Sequence, residues 1–388
     1  MKVEQIYGIM NAVTQELLGD SVIVAEDLSN IVDVGAQFED QIGYDNYVKT
    51  LVDHIGRVVF VDRVYAGRAP SVVRDGWEYG AILEKISTSL PEAQENESWM
   101  LEDGASYDPF VFKKPEAIAK FFSDRITFDI QLSITNDQVK GSFSNVNQLN
   151  GFLSMLYVAV ENSLTVKIDA LVMRTINSMI GETLYSEFNG SSISGTTGIR
   201  AVNLLKLYND TIAAGDALTA AEFVRNPDAL RFASFIMKNY VDRIKVMSTL
   251  FNIGGQERFT PQDRMSIVML SEFANAVGTF LYDANGQFLT QNIKFPDAET
   301  VTYWQGSGTD YAFSNTSAIN IKTGAGHSVS ASGILAVMFD RDALGVSNTD
   351  RSVDSAYNPK ARFTNNFYHY TAGYWNDLNE NFIVFYAA

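Results

Sequence analysis

The sequence predicts an α+β protein in which one very long helix is accompanied by separate stretches of β-structure. Apolar residues keep helical spacing from Leu149 to Leu184, and they alternate with polar residues from Thr127 to Ile134. The first pattern has the 3.6-residue period of a helix and the second has the two-residue period of a strand. A third pattern, the unbroken apolar run from Ile334 to Phe339, is typical of a strand that is buried on both faces.

The N-terminal part of the chain predicts two helices and a strand. Apolar residues at three- and four-residue spacing favour a helix over residues 2–18, which Gly19 ends, and a second helix over residues 47–55, which Gly56 ends. Residues 58–61 have the composition of a buried strand.

Residues 66–143 predict a projecting β-arm. Its outgoing strand is predicted over residues 79–86 and its returning strand over residues 127–134, with a polar, acidic stretch over residues 91–99 between them. Because an isolated two-stranded arm is only marginally stable in water, we expect this arm to lie on another surface.

The long helix begins after Ser144, a residue type that caps helix N-termini well. Neither Gly nor Pro occurs between Phe152 and Ile180. An unbroken helix of about 40 residues would be about 60 Å long at 1.5 Å per residue, which indicates a structural spine.

Beyond the Gly- and Ser-rich loop at residues 189–198, the pattern changes to shorter helices. They are predicted over residues 201–214, 219–225 and 227–251, and from Thr260 onward with Met265, Val268, Met269 and Phe273 on one face. Asn285-Gly286 predicts a hairpin turn, and residues 381–386 predict a final strand.

Composition excludes several classes of function. The 388 residues include 29 Lys and Arg against 46 Asp and Glu, a formal net charge of −17, and no cysteine. The absence of cysteine excludes disulfides, thiolate metal ligands and thiol nucleophiles. Because tight nucleic-acid binding needs clustered Lys and Arg, the acidic balance favours a protein that surrounds DNA over one that binds it tightly. No apolar stretch has the length of a membrane span, so no membrane partner is expected.

The sequence contains no recognisable catalytic, cofactor or metal motif. The histidines His54, His327 and His369 are too widely spaced for an H-x-x-H pair. There is no P-loop, no complete G-x-G-x-x-G and no G-x-S-x-G elbow. The chain is therefore predicted not to be an enzyme, with no catalytic residues, no cofactor and no metal site.

Five segments resemble signature segments of the major capsid proteins of tailed bacteriophages, in particular those of phages of Gram-positive hosts. They are residues 76–83 (GWEYGAIL), 120–128 (KFFSDRITF), 201–209 (AVNLLKLYN), 340–346 (DRDALGV) and 372–382 (AGYWNDLNENF). The order of predicted elements is also similar to that of the HK97-like capsid fold.

The resemblance implies a division of the chain into the regions of that fold. Residues 1–45 would form the N-terminal arm, and residues 66–143 the extended E-loop. Residues 46–65, 144–194 and 327–388 would form the P-domain with its sheet and spine helix. Residues 195–326 would form the largely helical A-domain, which points to the centre of each pentamer or hexamer.

An arm with one apolar face cannot bury that face alone, but it can bury it on a neighbouring copy. Specific interfaces of this kind cover roughly 800 Å² per partner. The candidate inter-subunit contact residues are Tyr79, Ile82, Leu83, Phe128, Ile130, Leu132 and Ile134.

The resemblance implies a structural major capsid protein that assembles with itself into the hexamers and pentamers of an icosahedral or prolate head. The head would enclose double-stranded DNA without sequence-specific binding. Portal and separate scaffolding proteins are the expected partners, and decoration proteins are left open. The expected location is the virion capsid, after assembly in the host cytoplasm.

Two alternatives stay open at this point. One is an encapsulin-like shell of a cellular compartment, which has the same fold but holds a cargo enzyme. The other is an acidic hydrolase that uses carboxylates, with aromatic sugar platforms at Trp304, Tyr374 and Trp375.

Overall fold

A computed structural model gives the architecture of the chain. It describes residues 68–74, 83–88, 117–135, 146–280, 298–306 and 310–388, together with the isolated positions 11, 12, 15, 90, 91, 93, 103, 110 and 114. For residues 146–158 and for positions 70, 214, 280, 348 and 349 it describes the backbone only.

Several predicted elements lie outside these residues: the helix over residues 47–55, the strand over residues 58–61 and the hairpin at Asn285-Gly286. Of the predicted helix over residues 2–18, the described positions Asn11, Ala12 and Gln15 are helical.

The described helices are, in chain order, α1 (Val146–Phe188), α2 (Leu204–Asn209), α3 (Ala220–Phe223), α4 (Pro227–Arg243), α5 (Ser271–Phe280) and α6 (Phe313–Thr316). Short 3-10 turns occupy Pro70–Val72, Ala214–Asp216 and Gln262–Arg264.

The described strands are β1 (Val73–Arg74), β2 (Leu83–Thr88), β3 (Ala117–Phe122), β4 (Arg125–Thr135), β5 (Ala201–Asn203), β6 (Met265–Leu270), β7 (Ala298–Val301), β8 (Ile319–Lys322), β9 (Ser328–Ala331), β10 (Ile334–Asp340), β11 (Leu344–Asn358), β12 (Phe363–Asn376) and β13 (Phe382–Tyr386).

The chain forms two compact units. The first comprises the described parts of residues 1–79, 124–172 and 346–373, and its sheet has the strand order β1-β11-β12-β4. The second comprises the described parts of residues 80–123, 173–345 and 374–388. It contains a five-stranded sheet of order β5-β13-β10-β6-β7 and the two hairpins β2–β3 and β8–β9. The predicted division into N-terminal arm, E-loop, P-domain and A-domain stays a prediction.

The long helix is confirmed as α1, which has 43 residues. Its buried residues recur at helical spacing, as in Leu164, Ile168 and Leu171. On its buried side, the Asn177 side-chain amide donates a hydrogen bond to the carbonyl of Trp304 at 2.7 Å. No helix in the described part of the chain combines the length and apolar character that a bilayer crossing requires.

The five-stranded sheet forms the core of the second unit. Every residue of β6, β10 and β13 is buried, as expected for strands that are covered on both faces. The predictions of β10 and of the final strand β13 are confirmed. Helix α5 packs against β6 and β7, and α2 packs against β13.

The helix predicted from Thr260 onward is wrong over its first part, because Met265–Leu270 is strand β6. This strand pairs antiparallel with β10 on one side and parallel with β7 on the other. A continuously apolar run contains residues at helical spacing as well as at strand spacing, so periodicity could not separate the two states. The helix α5 begins only at Ser271.

The helix predicted over residues 201–214 is also partly wrong. Ala201–Asn203 is strand β5, which pairs parallel with β13. The Asn203 side chain then caps α2 by accepting a hydrogen bond from the Lys206 backbone N–H at 3.1 Å. The next prediction, residues 227–251, is confirmed as a helix that ends earlier, at Arg243.

The pairing of the predicted β-arm needs a correction. The returning strand was expected over residues 127–134, but β4 pairs antiparallel with β12 along its whole length, from Arg125 opposite Gly373 to Thr135 opposite Phe363. The partner of β2 is instead β3. The alternation correctly predicted that β4 is a strand. Its partner β12 lies more than 200 residues away in the sequence, so no local pattern in β4 could indicate the pairing.

Candidate assembly surface

The hairpin formed by β2 and β3 has two faces of different character. Register places Lys85 opposite Lys120, and Ile86 opposite Ala119. Burial alternates along both strands, so that Lys85 and Lys120 lie on a half-buried inner face while Ile86 and Phe121 lie on an exposed outer face. Since side chains of a strand alternate between faces, each face is a property of the sequence pattern.

On the inner face, two lysines share one aspartate. The Lys85 Nζ lies 2.6 Å from Asp377 Oδ2, and the Lys120 Nζ lies 3.1 Å from Asp377 Oδ1. We call these three residues the carboxylate clamp. Like charges placed directly opposite each other on neighbouring strands repel. The shared carboxylate offsets that repulsion and joins both strands to the body of the second unit.

The surroundings of the clamp supply further partners for Lys85. Its ammonium donates a hydrogen bond to the Asp342 carbonyl at 3.0 Å and lies 3.4 Å from Glu380 Oε1. Arg258 Nε lies 3.7 Å from the other oxygen of Glu380. Charges of opposite sign therefore alternate through the site.

The position of Asp377 is fixed by the turn between β12 and β13. Its backbone N–H donates to the Ala343 carbonyl at 2.7 Å, and its Oδ1 accepts from the Asn379 backbone N–H at 3.1 Å. The Asp377 side chain is only 4% exposed. These two hydrogen bonds hold the Asp377 carboxylate in place independently of the lysines.

Two acidic groups of the site have pKa values shifted in opposite directions. Burial works to raise the pKa of Asp377, but the hydrogen bond and charge of Lys85, the Asn379 N–H and the charge of Lys120 outweigh it and lower the pKa. For Glu380, burial dominates and raises the pKa, although the charges of Lys85 and Arg258 oppose it. Asp377 is therefore the firmly charged member of the pair.

The outer face of the hairpin is open to solvent and carries two large apolar side chains beside the exposed residues Glu84 and Thr88. Ile86 is 68% exposed and Phe121 is 63% exposed. In the register they lie diagonally across the two strands, because Phe121 stands opposite Glu84 and Ile86 opposite Ala119. Side chains of this size are usually buried, so this face has the character of a contact surface.

A second exposed apolar group lies in the segment that follows α4. Backbone hydrogen bonds of 2.9 and 3.1 Å join Ser248 and Arg258 and close this segment into a loop. Its exposed apolar residues are Val246, Met247, Leu250 and Phe259.

The structure separates the predicted contact residues. Leu83 begins β2, whereas Tyr79 and Ile82 lie outside the described residues. Phe128, Ile130, Leu132 and Ile134 lie in β4, opposite Tyr370, Tyr368, Asn366 and Thr364 of β12. Leu83 and the β4 residues therefore lie in different sheets and belong to different units.

Sequence analysis missed the clamp and the outer face. Residues 117–122 are apolar apart from Lys120, and a short apolar run of this length could have indicated a strand. Asp377 has no local signal, because it lies 292 positions from Lys85.

The aromatic residues proposed as sugar platforms do not form one. Trp304 is 1% exposed and Trp375 is 8% exposed, so neither ring offers a face to a ligand. The guanidinium of Arg174 lies over the Tyr374 ring at 5.7 Å from its centroid. These rings serve packing, which removes the structural basis of the hydrolase alternative.

The described histidines are engaged with carboxylates. His327 stacks on Tyr185 and lies 3.4 Å from Glu182 Oε2, and His369 Nδ1 lies 2.6 Å from Asp129 Oδ1. His54 lies outside the described residues. Within the part of the chain that the structure describes, no three His, Asp or Glu side chains are grouped to hold a metal ion.

Comparisons with known proteins agree on one family. The family model of the Phi29-like phage major capsid protein matches residues 10–386. The major capsid protein of Bacillus phage GA-1 is 26% identical over 220 residues, which are 55% of this chain and 44% of that protein. The chain thus spans less than half the length of this curated relative.

A solved structure shares the fold. A chain in the capsid structure of Staphylococcus phage Andhra matches with a TM-score of 0.51 and 11% identity, covering 84% of this chain and 86% of that chain. This match confirms the predicted α+β capsid fold.

Proposed function

Because the chain belongs to the family of Phi29-like phage major capsid proteins, we propose that its copies assemble into the hexamers and pentamers of a phage head. The head is icosahedral or prolate and encloses packaged double-stranded DNA. Members of this family are structural proteins of the capsid, so the chain is a structural protein and not an enzyme. The encapsulin-like and hydrolase alternatives are not favoured.

The observation that carries the proposed assembly is the outer face of the β2–β3 hairpin. Ile86 and Phe121 are both more than half exposed. The inner face of the same hairpin is occupied by its ion pairs with Asp377, so turning the hairpin over cannot cover these two residues without breaking those pairs. Burial of this apolar face on a neighbouring copy would remove it from water and favour association.

The proposed contact differs in part from the residues expected from the sequence. Tyr79 and Ile82 remain proposed contact residues. Leu83 is half-buried on the inner face of the hairpin, so Ile86 and Phe121 take its place in the proposal. The apolar residues of β4 face the same side as the buried residues of β12. Phe128, Ile130 and Leu132 are half-buried and remain proposed contact residues, whereas Ile134 is only 1% exposed and is left out of the proposal.

The exposed loop after α4 supports a second contact. Val246, Leu250 and Phe259 lie in the region that the resemblance assigns to the A-domain. We assign this loop to contacts between neighbouring A-domains around the axis of each capsomer. Such head-to-tail contacts close into rings when the rotation between copies closes.

The proposed partners beyond other copies are a portal protein and a separate scaffolding protein, and decoration proteins remain open. Assembly takes place in the host cytoplasm. The net charge of −17 supports a shell that encloses DNA without binding it tightly, because strong phosphate neutralisation needs clustered basic residues.

The assembly contact is tested by replacing either large apolar side chain of the outer face with a charged one. Ile86→Asp and Phe121→Asp should each abolish rings and shells of the purified protein in sedimentation velocity and negative-stain microscopy. Ile86→Val and Phe121→Leu are the matched controls, since they keep the face apolar and should assemble. Normal shells from both aspartate variants would contradict the proposed contact.

A further inference from the structure

We infer that Asp377, through the carboxylate clamp, positions the β2–β3 hairpin in the single subunit so that its outer face is presented to a neighbouring copy. This inference rests on the proposed function, in which that outer face is an assembly contact. Asp377 itself contacts no neighbour in this scheme. It is a positioning residue, which acts through Lys85 and Lys120.

The geometry fixes the orientation of the hairpin as well as its position. One carboxylate oxygen binds the lysine of β2 and the other binds the lysine of β3. A bond to one strand would leave the hairpin free to rotate about it. Bonds to two strands, at residues directly opposite each other in the register, restrict that rotation.

The ion pairs make opening of the hairpin unfavourable. If the lysines leave, the Asp377 carboxylate loses both charged partners, and its remaining side-chain hydrogen bond among the described residues is that from the Asn379 N–H. Hydrogen bonds between charged groups are roughly twice as strong as those between neutral groups, so their loss is unfavourable. The hairpin therefore returns to the clamp, even though an isolated two-stranded hairpin is only marginally stable.

The orientation of the hairpin determines which of its two faces a neighbouring copy meets. The clamped orientation exposes Ile86 and Phe121. A hairpin released from Asp377 could turn over, and a neighbouring copy would then meet the ammonium groups of Lys85 and Lys120 in place of Ile86 and Phe121. The clamp thereby selects the face on which assembly depends.

The first test is Asp377→Asn. Asparagine keeps the Oδ1 acceptor for the Asn379 N–H and removes the charge that binds the lysines. In hydrogen-exchange mass spectrometry of unassembled subunits, amides of residues 83–88 and 117–122 should exchange about tenfold faster or more, given the usual strength of charged hydrogen bonds. Amides of β10 and β13 should be unchanged. Asp210→Asn, which breaks the exposed Lys206–Asp210 pair, is the matched control and should leave the hairpin unchanged.

A second set of variants removes the cations. Lys85→Met and Lys120→Met each leave one bond to Asp377, so each should increase hairpin exchange less than the double variant does. Both lysines are partly exposed, and their replacement by methionine keeps the apolar stems. This set decides the question even if Asp377→Asn does not fold.

The outcomes separate the clamp from the assembly contact. Faster hairpin exchange together with reduced shell yield supports the inference. Hairpin exchange that is equal in the wild type and in the double lysine variant overturns it, whatever the yield of shells. Faster exchange with normal shells overturns the positioning role and leaves the proposed function intact. Failure of the wild type to assemble both with and without a scaffolding protein overturns the proposed function, and the exchange data still decide whether the clamp exists.

Discussion

The Lys85 ammonium and the Asp377 carboxylate lie 2.6 Å apart, although 292 positions separate the two residues in the sequence. This pair joins a strand near the start of the described chain to the turn before its last strand. Because the Asp377 side chain is buried and Lys85 is partly exposed, the aspartate forms the fixed part of the contact and the hairpin the movable part.

Acidification should change the stability of the docked hairpin in two steps, first a small increase and then a decrease. The lowered pKa of Asp377 means that its contribution to stability is present above the ordinary value of 3.8 and is lost as the pH falls through the lowered pKa. The raised pKa of Glu380 has the opposite consequence, because protonation above its ordinary value of 4.5 relieves the cost of burying its charge. Protection of hairpin amides, corrected for intrinsic exchange, should therefore rise slightly on acidification from pH 7 and fall below about pH 4.

Glu380→Gln isolates the first step. The glutamine cannot titrate, so the slight rise should disappear while the loss at lower pH remains. A loss of protection that begins near neutral pH in the wild type would contradict the assignment of the two carboxylates.

Local patterns predicted the parts of the fold that they determine. Helix α1 was predictable because no Gly or Pro interrupts its apolar stripe from Phe152 to Ile180. Strands β10 and β13 were predictable because each is a short, continuous apolar run. In each case the signal lies within the element itself.

Long-range pairing was not predictable. Alternation predicts the strand β4, but nothing in the sequence of β4 indicates that β12 is its partner. The apolar spacing of residues 265–270 predicts a helix where strand β6 lies, because burial on both faces removes the polar positions that would reveal the period of a strand. The clamp was missed for the same reason as the β4 pairing, since a lysine on a strand does not indicate which distant aspartate it meets.

Gly333→Ala should destabilise the second unit by about 2–4 kcal/mol. The backbone of Gly333 has φ = 84°, and a Cβ there would meet the carbonyl oxygen of Ala387. That contact cannot relax easily, because the Ala387 N–H donates to the Gly333 carbonyl at 2.8 Å. Urea unfolding followed by circular dichroism measures the loss.

Gly278→Ala is the matched control for this substitution. Gly278 lies in α5, and no heavy atom lies within 4 Å of the added Cβ. Since alanine is the better helix former, this variant should be more stable than the wild type by about 0.5–1 kcal/mol. Equal effects of the two substitutions would contradict the structure at Gly333.

Phe382→Ala should cost about 3–5 kcal/mol of unfolding free energy. Phe382 of β13 stacks on Phe339 of β10 with ring centroids 5.7 Å apart, and both rings are buried. Removing the Phe382 ring leaves a cavity beside Phe339 on a covered face of the five-stranded sheet. Phe235→Ala, at a position on α4 that is 58% exposed, should change stability by less than about 0.5 kcal/mol in the same urea titration.

Alkaline pH should destabilise the fold through Tyr386. Burial raises the pKa of its hydroxyl to about 12, and the protonated hydroxyl donates a hydrogen bond to the Thr196 carbonyl at 2.8 Å. In the unfolded chain a tyrosine ionises near pH 10. The unfolded state therefore releases its proton first, and the stability that is present below about pH 10 is lost progressively as the pH rises toward about 12. Burial also raises the pKa of Tyr240, which adds a slope of the same sign.

The free energy of unfolding at pH 8.5 and at pH 11 should thus differ less in Tyr386→Phe than in the wild type. At pH 8.5 this variant should itself be less stable by about 1 kcal/mol, because the hydroxyl no longer binds the Thr196 carbonyl. Tyr311→Phe is the control, since Tyr311 is 86% exposed and its ionisation should be the same in both states. If Tyr386→Phe and Tyr311→Phe retain the same pH dependence, the buried hydroxyl of Tyr386 is not the source of the alkaline instability.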